Sequence, residues 1–244
     1  MAWPGTPWYE RAVSPRTIAV LGMHRSGTSC VTGTLEEAGV FLGAVSRKSV
    51  QNLKGNRERP TLTNLHDAVL AANSGAWDDP PATARWSVVQ REQLRQFIAE
   101  YSDRPLWGFK DPRTLLLLDG WIALLPRLEF AGVFRHPLLV AQSLNRRNGV
   151  PMDHGLLLWR RYNEILLRAH RERSFPLVEF VSDPGVMRAS LSRQLVALKL
   201  DIAPKRLRFY RPRLQTQRGV TGRTRLAPDI EHLYRAFQAG SGSA

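Results

Sequence analysis

Five segments of this 244-residue chain carry side chains able to do chemistry, and most of them handle anions. In Gly22-Met-His-Arg-Ser-Gly-Thr-Ser29, two glycines are separated by four residues, and Arg25 stands between them. Lys110-Asp-Pro-Arg113, Arg135-His-Pro137 with Ser143, and Asn52–Glu58 add five more cations and two carboxylates. The late stretch Leu177–Asp183 adds two further acids. Glycines at this spacing let backbone N–H groups close around a phosphate or sulfate, and a helix starting at Thr28 would aim the positive end of its dipole at the same volume. A nucleotide P-loop would carry lysine where Thr28 stands. The loop therefore reads as an anion cradle whose nearby cation is Arg25, and not as that of an ordinary ATPase.

Elements must bring these segments together. Thr17–Leu21 is a short apolar, β-branched run and predicts a buried strand; a helix follows from Thr28 to Ala38, with Gly39 as its C-terminal stop. Further strands are expected over 106–109, 128–134 and 177–181, and helices over 61–72, 87–101, 115–125, 137–147, 154–171, 184–200 and 228–237. Strands alternating with helices of this length define an α/β fold: a three-layer sandwich with a central parallel sheet. Ligands of such sheets collect beyond the carboxyl ends of the strands. Three of the four strands end in the polar segments named above, so sequence-distant groups converge there.

Composition sets bounds. Hydrophobic residues make up 43% of the chain and charged residues 23%, which is ordinary for a globular protein. The net charge is +14, and with lysine only at 48, 54, 110, 199 and 205, arginine supplies most of it. Guanidinium grips phosphate and sulfate bidentately. The arginines are scattered and form no basic tract, so nucleic acid is not the expected partner. The lone Cys30 excludes an intramolecular disulfide and a cysteine zinc cluster. No metal-ligand spacing occurs, so no metal is expected. Met1–Val13 has no apolar leader core, and Leu115–Leu125 is too short to span a membrane; a cytoplasmic protein is expected. The domain reading is a lead-in over 1–16, one α/β domain over 17–239 and a flexible tail over 240–244.

These segments resemble the PAPS-dependent sulfotransferases, in the bacterial type with an arginine-bearing loop. Gly22–Ser29 is similar to their 5′-phosphosulfate loop, and Arg135 with Ser143 eight residues on is similar to their 3′-phosphate site. Gly108–Arg113 resembles the segment ending their middle strand. Asn52-Leu-Lys-Gly-Asn-Arg-Glu58 resembles an N-P-K-G-Y-x-E segment, departing from it at Leu53 and Asn56. Leu177–Val181 occupies the place of a late strand, with Phe180-Val181 in place of Tyr-Glu. The ordered match covers about residues 17–200.

The resemblance implies sulfuryl transfer from PAPS to a hydroxyl or amine of a carbohydrate, glycolipid or small natural product. His24, Arg25, Ser26, Gly27, Thr28, Ser29, Arg135 and Ser143 would bind the donor, with Arg25 and Lys110 also stabilising charge in the reaction. Glu58 is the first candidate for the base and His66 the second; Asp111 is expected to orient Lys110 or Arg113. Trp77 and Trp86 are expected either to face a ring of the acceptor or to sit in the core. A P-loop kinase and a non-catalytic nucleotide- or nucleic-acid-binding protein are the alternatives. The first predicts Mg²⁺-dependent ATP binding, the second strongly salt-dependent binding to a basic face.

Overall fold

The structure is a computed structural model and describes residues 15–48, 54–200, 207–214 and 225–241. Four strands, β1 (Arg16–Leu21), β2 (Leu106–Lys110), β3 (Glu129–Phe134) and β4 (Leu177–Glu179), form one parallel sheet in the order β2-β1-β3-β4. Among the described residues eight α-helices accompany them: α1 (Thr28–Glu37), α2 (Pro60–Ala72), α3 (Val88–Ala99), α4 (Leu118–Leu124), α5 (Pro137–Asn148), α6 (Met152–Arg173), α7 (Pro184–Ala197) and α8 (Pro228–Ser241). The chain leaves β1 to one side to make β2, then returns across it to make β3. The sheet order therefore reverses at β1, and a crevice opens between the carboxyl ends of β1 and β3, where α/β sheets bind ligands.

Both faces of the sheet are covered, so its strands are apolar on both sides. Ile18, Val20, Val133 and Val178 pack against Val31 and Leu35 of α1 and Leu191 and Leu195 of α7. Ala19, Leu21, Phe109 and Phe134 point the other way, into a larger core with residues of α2 to α6 and α8. That core is aromatic: Tyr101 stacks on Trp107 at 4.2 Å between ring centroids, and Phe109 on Trp121 at 3.9 Å. The packing fixes β2, and with it Lys110 at the strand's last position.

Local chemistry sets the element ends. Pro60, Pro137 and Pro184 occupy first helical turns, where a missing N–H costs nothing. Ser87 and Gln90 form a reciprocal capping box on α3. Gly149 ends α5 with φ 71°.

Several expected boundaries move by a few residues, three of them with a traceable outcome. The helix expected over 115–125 starts earlier, as a 3-10 helix over Pro112–Leu117, because Asp111 accepts the Arg113 N–H at 2.9 Å and Pro112 fits the first turn. The strand expected over 177–181 stops at Glu179, although the Phe180 N–H still donates to Phe134 O at 2.8 Å. The last helix runs on through Gly240 to Ser241, into the expected tail. Residues 1–14 of the expected lead-in and most of the basic region over 208–225 lie outside the described residues, while Arg16, the lead-in's expected last residue, opens β1.

Gly22 sits where β1 passes closest to β3. A Cβ there would press into the Val133 carbonyl oxygen and within 2.9 Å of Thr28 Cγ2. Gly22→Ala is expected to lower the unfolding free energy by about 1–3 kcal/mol, as overpacking does. Urea unfolding should show a lower midpoint at unchanged slope.

Candidate active site

The loop after β1 is built by backbone conformation. Arg25 and Gly27 have φ of 67° and 93°, with Ser26 between them, and the Ser26 N–H donates to Met23 O at 3.2 Å. Alternation of this kind makes an anion-binding concavity of backbone N–H groups. Gly27 is the N-cap of α1; no side chain caps the helix, and its first turn holds no acid. The leading N–H groups of Thr28 and Ser29 thus have no intrahelical partner. Beneath the turn lies the Phe180 ring, which a Cβ on Gly27 would strike. Leaving the strand is what lets Phe180 fill that position.

Arg25 crosses the crevice from the loop to α5. Its Nε donates to Ser143 Oγ at 2.8 Å, and its carbonyl oxygen accepts from Arg135 Nη1 at 3.2 Å. Arg135, at the end of β3, is buried; Trp159 Nε1 donates to its carbonyl at 2.9 Å, and its guanidinium lies 5.4 Å from the Phe180 ring. Among the described residues no carboxylate lies within ion-pair distance of Arg25. Burial, and then the charge of Arg147, lower the Arg25 guanidinium to about 10. Burial, and then the charge of Arg25, do the same to Arg135. The two strand ends therefore hold positive charge where water is scarce.

Beside this bridge is a cavity of about 170 Å³. Its cations are Arg25, Lys110, Arg113 and Arg147, and its acid is Glu58. Lys110 Nζ lies 2.5 Å from Glu58 Oε1. Burial lowers the Lys110 ammonium, and Glu58 opposes that shift. Arg113 is held from behind, by Asp67 at 2.5 Å and Asp111 at 3.2 Å. Burial alone would raise the Asp111 carboxyl; His66 and Arg113 outweigh it and hold the group far below the usual carboxylate range.

His24 lines the same cavity, with its ring centroid 4.6 Å from that of Trp77 and 6.0 Å from that of Tyr162. Tyr162 Oη donates to Trp77 O at 2.8 Å, which ties the Trp77 loop to α6. Burial, then the charge of Arg113, push the His24 imidazole down to about 3.

Of the residues singled out in the sequence, His24, Arg25, Thr28, Ser29, Glu58 and Lys110 share this cavity, and Arg135 and Ser143 join it through Arg25. Ser26 lies under the loop, fully buried, and does not line it. His66 is also absent from the cavity wall. It is fully buried, with Trp121 Nε1 donating to its Nε2 at 3.0 Å and Asp111 at 3.4 Å from its Nδ1. In the segment ending at Glu58, Asn52 and Leu53 lie outside the described residues. Lys54 instead anchors the later chain, donating to Phe209 O, and Arg57 pairs with Glu36 at 2.7 Å. Trp77 lines the cavity, whereas Trp86 is core, against Gly120. Arg147 was missed; it follows Ser143 by four residues on α5, so helical spacing pointed to it. Cys30 is a partly buried side chain of α1 whose thiol burial pushes up to about 12.

The fold is that of solved sulfotransferase domains. The sulfotransferase domain of the Synechococcus PCC 7002 olefin synthase is similar over 92% of this chain and 95% of that one, with a TM-score of 0.60 and 18% identity. The sulfotransferase domain from the curacin biosynthetic pathway is similar over 92% of this chain and 98% of that one, with a TM-score of 0.56 and 14% identity. At these identities the likeness is one of fold. No protein-family model and no curated protein sequence matches the chain. Among the described residues no helix is long and apolar enough to cross a membrane, and no group of three or more His, Cys, Asp or Glu is placed to hold a metal ion.

The state of His24 is directly measurable. An unperturbed histidine takes up its proton near pH 6.5. His24, held at about 3, stays neutral through that range while the unfolded chain protonates, so its contribution to stability is full above about pH 6.5 and is lost as pH falls towards 3. Ring C–H resonances of His24 should be flat from about pH 8 to pH 4.5. A midpoint near 6.5 would contradict the burial described.

Proposed function

We propose that this protein is a sulfotransferase that takes PAPS (3′-phosphoadenosine 5′-phosphosulfate) as donor and a hydroxyl or amine of a carbohydrate, glycolipid or small natural product as acceptor. One observation carries the reading: Arg25, inside a glycine loop at a helix N-terminus, reaches Ser143 while Arg135 reaches its carbonyl. Two anion-binding groups are thereby joined across the β1–β3 crevice, as a ligand with two separate phosphates requires. ATP has no 3′-phosphate to use the second.

In this reading the N–H groups of Thr28 and Ser29 and the Arg25 guanidinium hold the 5′-phosphosulfate. The Ser29 hydroxyl already donates to Asn56 O at 2.9 Å, so its share is its backbone N–H. Arg135 and Ser143 hold the 3′-phosphate through charge-assisted bonds. PAPS supplies the sulfuryl group. Transfer of such a group demands positioning and charge stabilisation more than covalent help. Lys110 stabilises the sulfuryl oxygens, and Glu58, 2.5 Å away, keeps that ammonium charged and aimed. With four cations around the cavity, the proposed chemistry needs no metal ion. The about 170 Å³ it encloses suits the charged end of the donor; whole-ligand pockets run to roughly 300–1,000 Å³. The acceptor enters beside Trp77.

Calorimetric titration with adenosine 3′,5′-bisphosphate, the product of PAPS, tests this. Tight binding without Mg²⁺ is expected, and weaker binding of ADP. Arg135→Ala should weaken the bisphosphate about 10- to 100-fold, the worth of hydrogen bonds to a charged group. ADP binding only with Mg²⁺ would favour a kinase. No binding of either nucleotide would overturn the proposal.

A further inference from the structure

Sulfuryl transfer leaves a proton on the acceptor, and the cavity offers few groups to take it. Its titratable lining is Glu58, His24, three arginines and a lysine. Glu58 is committed to Lys110 at 2.5 Å. Tyr162, behind His24, spends its hydroxyl on Trp77 O, and burial raises its phenol well above 10. His66 is sealed in the core.

His24 differs from all of these. Its Nε2 is enclosed, with no hydrogen-bond partner among the described residues, and the rings beside the imidazole are Trp77 and Tyr162. Nδ1 is not among the enclosed, unpartnered atoms, so it is the ring nitrogen that a ligand in the cavity can reach. For the neutral ring to accept a proton there, its own proton must sit on Nε2.

We infer that His24, rather than Glu58, receives the acceptor's proton, through Nδ1; the inference rests on the sulfotransferase reading. The acceptor oxygen or nitrogen forms its bond to sulfur as the bond from sulfur to the bridging oxygen of PAPS breaks. The electron pair of that bond leaves on the 5′-phosphate. The acceptor's proton moves to His24 Nδ1 and then to water. Lys110, Arg113 and Arg147 face the ring with positive charge and Asp111 with negative charge, so the protonated ring is short-lived and the base resets at once. A weak base suffices, because in a loose transition state the acceptor proton turns acidic only as the new bond to sulfur forms.

Two measurements test this. In protein with ¹⁵N-labelled histidine, saturated with adenosine 3′,5′-bisphosphate, His24 should carry its proton on Nε2, the signal being assigned by its loss in His24→Asn. A proton on Nδ1 overturns the inference. Release of sulfate from radiolabelled PAPS into water, with no other acceptor, should fall about 100-fold in His24→Phe, which keeps a ring against Trp77. Bisphosphate affinity should stay within a factor of about three. His24→Asn, with a polar atom near the place of Nδ1, should recover part of the rate. Unchanged release in His24→Phe overturns the inference and leaves the sulfotransferase reading standing. Loss of bisphosphate binding in a folded His24→Phe overturns it too, by making His24 a donor-site group. Failure of the unsubstituted protein to bind the bisphosphate removes both readings. Should His24→Phe not fold, or the unsubstituted protein release no sulfate, the tautomer decides.

Discussion

Holding Arg25 and Arg135 together, partly out of water, is the constraint on which the rest of this structure depends. Burial weakens both guanidinium groups as bases, as do the charge of Arg147 on Arg25 and that of Arg25 on Arg135, yet the fold brings them to adjacent strand ends. Such an arrangement is unfavourable unless something offsets it. Hydrogen bonds do part of this: Arg25 to Ser143, and Arg135 to the Arg25 carbonyl. The hydrophobic core does more, because β1 and β3 are locked side by side by apolar packing on both faces. An anion in the crevice would remove the remaining strain, which is how a fold stores binding energy for a charged ligand.

The same logic organises the second half of the site. Lys110 ends a strand pinned by stacked aromatic rings, and Glu58 is the carboxylate that meets it. Behind them His66, Asp111 and Arg113 form a buried polar chain that runs from Trp121 to the cavity wall, with the half-exposed Asp67 pairing Arg113 from outside. Every charge in that chain has an opposite neighbour, so it fixes position. Arg25 is treated differently: among the described residues no carboxylate lies within ion-pair distance of it, which on the sulfotransferase reading leaves it to the ligand.

Much of this was legible in the chain. The shape of the glycine loop could be read because one contiguous stretch holds its glycines, Arg25 and the helix start, and Gly22 and Gly27 are both demanded by close approach or positive φ. Arg135 and Ser143 were legible from a strand end and two helical turns. His66, the second candidate for the base, lies in the core, and Leu62, Val69 and Leu70 on its helical face mark it as such. The shortened β4 could not be foreseen, because Phe180 leaves the strand to lie under Gly27, a contact across more than 150 residues. Trp77 reaches the cavity from a loop tied to α6, one of the two places expected for it, and Arg147 from the last turn of α5, one turn after Ser143.

A crystal structure of the complex with adenosine 3′,5′-bisphosphate tests the central claim most directly. The account predicts the 5′-phosphate at the N-terminus of α1, on the N–H groups of Thr28 and Ser29 with Arg25, and the 3′-phosphate on Arg135 and Ser143. The β1–β3 crevice should be otherwise unchanged. A nucleotide bound elsewhere, or with its 3′-phosphate in solvent away from Arg135, would contradict it.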